Sequence, residues 1–403
     1  MAKASAIKSS ATANNDIREQ IFKSFIAESN KQGVPIFDLG ENADRVKVQV
    51  VPTGALTVDV ALSAGGVPRG RIIEIFGPEA SGKTGLAFSI GGEAQRLGGY
   101  VAFIDAEHAF NPTYATAMGL DLSRTAFYSP TSGEDAFNIA RACCRSKAFD
   151  VVIVDSVAGL ATKAEINGEL GEGARMAPIA SLMSVGLRVL TPVAEESNTM
   201  VIFINQLRLN PGQMMGNPEY TPGGKSLKFF ASVRLEVRSP NGNKKEVDKV
   251  LIGQTCNIKV VKNKVGPPGR STEYDMFFET GIDRDATVIA VGKQMGIVEN
   301  KGAFYYYKGE NVGQGLDKFK AWLKANPEAL EDIKNQVYGR LNGVIESTEV
   351  SADDLDSAMA AAAELKDDVM SQAVAQVSLP GGDNAYGAEY EEYETDGEEQ
   401  PDI

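Results

Sequence analysis

From about residue 50 to residue 285 the chain alternates short apolar runs with stretches of helical periodicity. The runs at 71–76 (RIIEIF), 100–104 (YVAFI), 126–128 (AFY), 151–154 (VVIV), 200–204 (MVIFI), 231–237 (ASVRLEV) and 256–262 (CNIKVVK) are strand-length and rich in β-branched residues, as buried strands are. Helical spacing fits 84–97, 133–146, about 174–195 and, more thinly, 224–230. This alternation predicts an α/β fold around a doubly wound, mainly parallel sheet. Two stretches, 163–174 and 207–223, are rich in Gly, Asn and Pro and carry little periodicity. Both follow predicted strand ends, where such sheets carry their ligand-binding loops.

The flanks have a different texture. Residues 1–15 are small and polar and read as disordered or as an arm. Within Asp16–Gln32, residues Ile17, Ile21, Phe22, Phe25 and Ile26 fall at helical spacing, with Asp16 as the expected N-cap. That apolar stripe must be covered by its own domain or by a neighbour. After 285, short strand-like segments precede a helix, an Asn326-Pro327 break and a second helix, a small α/β unit of its own. The expected organisation is an arm and helix at 1–50, a core at 51–285, a small domain at 286–345 and an acidic, disordered tail at 346–403.

Charge changes the picture only when divided along the chain. The net charge is −14, but residues 351–403 hold 15 Asp or Glu and one Lys, which accounts for all of it. The remaining 350 residues carry 39 acidic and 39 basic side chains, so a local basic path for nucleic acid stays open. No run of 18 or more apolar residues appears, and the N-terminus lacks a signal-peptide pattern. Three cysteines (Cys143, Cys144, Cys256) suit a reducing compartment, and a single histidine, His108, leaves no His-based metal cluster. The chain reads as cytoplasmic.

The candidate chemistry begins at Gly77–Thr84, GPEASGKT, between a predicted strand and a predicted helix. Here Gly77, Pro78, Glu79, Ala80, Ser81, Gly82, Lys83 and Thr84 form a phosphate-binding P-loop pattern. Its glycines free backbone N–H groups, Lys83 would reach the β- and γ-phosphates, and the Thr84 hydroxyl would sit on Mg²⁺. Asp155, closing the apolar run VVIVD, is the matching carboxylate for Mg²⁺, directly or through water. Glu107, two residues past Asp105, stands where a carboxylate could activate water near a γ-phosphate.

Taken in order, GPEASGKT, FIDAEHA, VDSVAGL, KAEINGELG, IFINQLR, GNPEYTPGG, LKFFASVRLEVR and VVKNKV resemble the bacterial RecA recombinase family, from about Val51 to Leu341. The resemblance implies a P-loop ATPase core, an N-terminal polymerisation helix and a small C-terminal domain. It makes Glu107 the activator of the attacking water and Gln206 the sensor of the γ-phosphate. Lys262 and Lys264 become cations supplied in trans to a neighbour's phosphates, Tyr114 a stacking partner for adenine, and Phe229 or Phe230 an interface residue. It places DNA on loops 168–177 and 207–223, through Gly171, Arg175, Met176, Ser184, Arg188, Arg208, Gly223 and Gly224. The chain departs from the family at Asn111, where an aspartate is usual, and at 281–286, which lack a tyrosine.

The function implied is that of an ATPase stimulated by single-stranded DNA, forming helical filaments that pair this strand with a homologous duplex in recombination, DNA repair and the SOS response. ATP and Mg²⁺ are its expected cofactors, with single-strand-binding and mediator proteins as further partners and no membrane. A hexameric motor or ATP-driven switch with a related core is the rival reading, as is a non-catalytic DNA-coating or partner-docking protein with a degenerate site. VVKNK, the GNPE–GG loop and the small domain favour the recombinase over the motor. Intact Lys83, Thr84, Glu107, Asp155 and Gln206 argue against degeneracy.

Overall fold

The computed structural model describes residues 2–33, 36, 38, 48–168, 178–210, 219–240 and 244–341. Its first element is a 30-residue helix, α1 (Ala2–Lys31). The helix starts well before Asp16, which lies inside it instead of capping it. Ala2, Ala4, Ala6, Ala11 and Ala13 are strong helix formers, and their propensity outweighs the polar residues that had suggested disorder. Ile17, Ile21, Phe22 and Phe25 of α1 are exposed on this chain.

The short pair β1 (Val50–Val51) and β2 (Val67–Pro68) brackets α2 (Leu56–Leu62). The alternation then runs β3 (Ile72–Gly77), α3 (Lys83–Arg96), β4 (Val101–Asp105), α4 (Pro112–Ala117), β5 (Thr125–Tyr128), α5 (Gly133–Ser146), β6 (Val151–Asp155), α6 (Lys163–Asn167), α7 (Pro178–Ser197) and β7 (Met200–Gln206). A ribbon of β8 (Arg208–Leu209) and β9 (Glu219–Tyr220) leads to α8 (Ser226–Phe230), β10 (Val233–Arg238), β11 (Lys244–Val247), β12 (Val250–Asn263), β13 (Ser271–Phe277) and β14 (Gly281–Ile282). Last come α9 (Arg284–Gln294), the hairpins of β15 (Val298–Lys301), β16 (Phe304–Tyr307) and β17 (Glu310–Gln314), then α10 (Leu316–Ala325) and α11 (Pro327–Leu341).

Among the described residues one ten-stranded sheet has the order β14-β13-β12-β10-β3-β7-β6-β4-β5, with β11 paired to β12. From β10 to β5 every pairing is parallel; β12, β13 and β14 continue the sheet antiparallel. The inner parallel strands β3, β4, β6 and β7 are mostly apolar on both faces because both faces are covered, whereas β5, at the edge, is partly exposed. Ile73, Ile75, Phe103, Ile153 and Ile202 pack toward α3, whereas Ile72, Ala102, Val152, Val154 and Phe203 pack toward α5 and α7. A third cluster gathers Phe319, Leu323, Ile333 and Val337 with Val288 and Val298, and takes Leu56 from α2.

Candidate functional site

The loop after β3 is pressed against the sheet. A Cβ on Gly77 would lie 1.9 Å from the Val237 carbonyl oxygen, so no side chain fits there. Ala80 and Gly82 take left-handed φ values of 56° and 98°, a conformation that gathers successive N–H groups on one side. The helix α3 then opens at Lys83, adding the positive end of its dipole. Lys83 Nζ donates to the Pro78 carbonyl at 2.6 Å, and the Thr84 hydroxyl donates to Asp155 Oδ2 at 2.8 Å. Asp155 Oδ1 and Ser81 Oγ are buried without a hydrogen-bond partner.

The electrostatics match that picture. Burial pushes the Asp155 carboxyl up to about 7; the Thr84 bond works against this, and the nearby Glu107 charge adds to it. Burial likewise pulls the Lys83 ammonium down, against the pull of Asp155, Glu107 and Glu79. Two buried groups of opposite sign are thus each disfavoured in their charged form. A polyphosphate beside Lys83 and a divalent cation beside Thr84 and Asp155 would supply the missing counter-charges, and the orphaned Asp155 Oδ1 is a ready acceptor of a metal-bound water. The residues present therefore fit a nucleotide with Mg²⁺.

Glu107 follows β4, and its backbone N–H, like that of Ala106, donates to the Asp155 carbonyl at 3.0 and 2.6 Å respectively. That anchors Glu107 to the end of β6. Gln206 closes β7, and its Nε2 donates to Glu107 Oε1 at 2.8 Å. Glu79, in the loop, is exposed. Tyr114 is half-buried on α4, its ring 6.2 Å from that of Phe88, and burial pushes its hydroxyl up to about 12. Asn111 caps α4, its Oδ1 accepting from the Tyr114 N–H at 3.0 Å. His108 Nδ1 lies 2.9 Å from Ser129 Oγ.

Lys262 and Lys264 do not join their own chain's P-loop. Lys262 pairs in register with Arg234, at the start of β10, and its Nζ donates to the carbonyls of Lys228 and Phe229 at 2.7 and 2.9 Å. Burial lowers the Lys262 ammonium, with Lys264 and Arg234 adding like-charge repulsion. Phe229 is exposed at 70%, whereas Phe230 packs against the core under α7. Gly223 and Gly224, both left-handed at φ 85° and 76°, lie against the first turns of α7; a Cβ on Gly224 would come 2.9 Å from Ala180 Cβ. The same helix carries Ser184, half-buried, and Arg188, exposed. Arg208 pairs with Tyr220 in the β8–β9 ribbon. Gly171, Arg175 and Met176, the loop stretches 169–177 and 211–218, and the tail at 346–403 lie outside the described residues.

Several contacts at the site join residues that no local motif connects. Glu74 on β3, fully buried, is ion-paired to Arg234, whose guanidinium lies 4.5 Å from the Phe76 ring centroid. Asn205, beside Gln206, donates to Glu74 Oε1 at 3.1 Å and to the Pro222 carbonyl at 3.2 Å. Glu219 of the ribbon is paired with Arg238 on β10. Gln254 and Cys256 touch the P-loop from β12. A polar residue within an apolar strand run, as Glu74 is, was the one signal in the sequence for any of these.

Residues 17–283 match the RecA N-terminal domain family, and residues 286–342 match the RecA C-terminal domain family. The chain is 48% identical over 305 residues to Protein RecA of Heliobacterium modesticaldum, covering 76% of this chain and 87% of that one. Protein RecA of Syntrophus aciditrophicus is 49% identical over 302 residues, with 75% and 87% covered. Among solved structures, the crystal structure of the RadB recombinase has a TM-score of 0.45 at 25% identity, covering 58% of this chain and 98% of that one.

Proposed function

The chain belongs to the RecA family, and from that membership we propose that it hydrolyses ATP with Mg²⁺, assembles as a helical filament on single-stranded DNA and pairs that strand with a homologous duplex. The observation that carries the coupling of DNA to hydrolysis is the bond from Gln206 Nε2 to Glu107 Oε1, at 2.8 Å. It ties the residue that opens the 207–223 loop to the carboxylate beside the P-loop.

Lys83 would exchange the Pro78 carbonyl for the β- and γ-phosphate oxygens, and the Ser81 and Gly82 N–H groups would face the same oxygens. Bound at Thr84 and Asp155, Mg²⁺ would neutralise phosphate charge. Glu107 would orient the attacking water and accept its proton, with the oxygen that Gln206 does not hold. DNA on the 207–223 loop would move Gln206 and so reset Glu107. Lys262 and Lys264 would serve the site of the adjoining subunit, stabilising charge that develops on its phosphates. Tyr114 would lie near the base, and Ser184, Arg188, Arg208, Gly223 and Gly224, with Gly171, Arg175 and Met176, would hold DNA phosphates, leaving base pairing to select the sequence.

Family membership also supports a core at 51–285 with a small domain at 286–345, a cytoplasmic setting, a part in the SOS response, and single-strand-binding or mediator proteins as further partners. No helix among the described residues is long and apolar enough to cross a membrane.

The test is ATP turnover titrated with single-stranded DNA, for the unmodified chain and for Glu107→Gln. DNA should stimulate turnover, and Glu107→Gln should reduce it at least about a hundredfold while filaments still form. Turnover indifferent to DNA would overturn the recombinase reading in favour of a motor.

A further inference from the structure

We propose that Gln254 and Cys256 of β12 are positioning residues for nucleotide binding, which hold the P-loop by two successive carbonyls so that its N–H groups face the phosphates. The inference rests on the nucleotide-site reading above and extends it to the part of β12 that precedes the VVKNK motif.

β12 is 14 residues long, while its neighbour β10 has only six and pairs with it no further than Asn257. The stretch Val250–Cys256 therefore runs on past the end of β10, alongside the loop that follows β3. Alternation along the strand puts Gln254 and Cys256 on one face. That face is the one that α3 covers, since Cys256 belongs to the core cluster containing Leu86 and Ile90. From it Gln254 Nε2 donates to the Ala80 carbonyl at 3.0 Å, and the Cys256 thiol donates to the Ser81 carbonyl at 3.4 Å. The fit leaves no slack: a Cβ on Gly82 would come 2.8 Å from Cys256 Sγ and 2.6 Å from Met276 Cε.

Peptide geometry makes this grip consequential. In a trans peptide the carbonyl of one residue and the N–H of the next point in opposite directions from one rigid plane. Holding the Ala80 and Ser81 carbonyls toward β12 thus aims the Ser81 and Gly82 N–H groups away from β12. Without that hold the Ala80 and Ser81 carbonyls would lose their side-chain anchors on β12, and Ala80, at φ 56°, sits where a non-glycine residue is strained. Burial keeps the Cys256 thiol protonated, pushing it up to about 12, so it remains a donor.

The decisive variant is Gln254→Met, which keeps the length of the side chain and its neutrality but removes the amide donor. Gln254 is only half-buried, so the fold is not at stake. The expected result is a rise of about three- to tenfold in KM for ATP with kcat within about twofold, as for one lost hydrogen bond acting on the ground state and transition state alike. A second readout needs no nucleotide: N-ethylmaleimide labelling of each cysteine, resolved by peptide mass. Cys256 should label faster in Gln254→Met, while Cys143 and Cys144 keep their rates. An unchanged KM with an unchanged Cys256 rate overturns the proposal, as does equal acceleration at all three cysteines. Failure of the unmodified chain to bind ATP would instead overturn the nucleotide-site reading, and the labelling comparison would still decide the role of Gln254.

Discussion

Arg234 is a charge placed inside a sheet, and its partner Glu74 has no exposed surface at all. Removing the cation alone would leave that carboxylate buried beside Asn205 with nothing to balance it. Arg234→Met is therefore expected to destabilise the fold by about 3–5 kcal/mol, read from urea unfolding. The double variant Arg234→Met with Glu74→Gln should recover most of that loss, and a double variant no more stable than the single would refute the pairing. At this scale the sequence was legible where the chemistry is local. Lys83, Thr84, Asp155 and Glu107 could be found because each belongs to a short word set at a strand end. Arg234 lies 160 residues from Glu74, and Gln254 lies 174 from Ala80, so only the fold brings these together. Asn205 lies 131 residues from Glu74, so its part in this pairing is equally hidden although it stands next to Gln206.

Among the elements, α2 and α11 meet through a buried carboxyl. Asp59 Oδ1 accepts the Thr53 N–H at 2.8 Å, and Oδ2 accepts the Tyr338 hydroxyl at 3.0 Å. Burial pushes Asp59 up to about 7, opposed by these bonds and reinforced by the Glu93 charge. The folded protein thus holds a proton that the unfolded chain releases at the ordinary carboxyl value. The stability this proton contributes is complete below that value and is lost as pH rises through about 7. Asp59→Asn should therefore melt several degrees higher than the unmodified chain at about pH 8, with the gap narrowing as pH falls below about 7 and closing only near the ordinary carboxyl value, about pH 4. An equal gap at both pH values would show that Asp59 is not titrating there. Element type was easiest to read where both faces of a strand are covered. It failed for α2 and α4, each too short to display a period, and for β13, whose Ser, Thr, Glu and Asp hide a strand. The start of α1 is hidden because its polar residues mask alanine's helix propensity.

For the whole molecule, the −14 charge resides in the last 53 residues, and the first 350 are balanced. A chain lacking 351–403 would therefore be neutral overall, and an acidic segment competing for the DNA path would be gone. Such a chain should take up duplex DNA faster than the full chain, most clearly at low salt where the repulsion is unscreened, in a stopped-flow binding measurement. Duplex uptake no faster than in the full chain would refute the competition. The sum of charges was legible in the sequence from the start, but its division between body and tail is what gives it meaning.

The length of β12 has one more consequence. Toward its middle it touches its own P-loop through Gln254 and Cys256, and at its C-terminal end it carries Lys262, with Lys264 just beyond, which on the proposed function serve the next subunit. A defect in this strand would not stay private to the molecule that bears it. One residue inserted between Cys256 and Lys262 would turn the lysines to the opposite face of the sheet and spoil the site of a healthy neighbour. In a cell expressing both versions, that allele would behave as dominant: each altered subunit would silence a normal one, and the inheritance pattern itself would report that two active sites share a single strand.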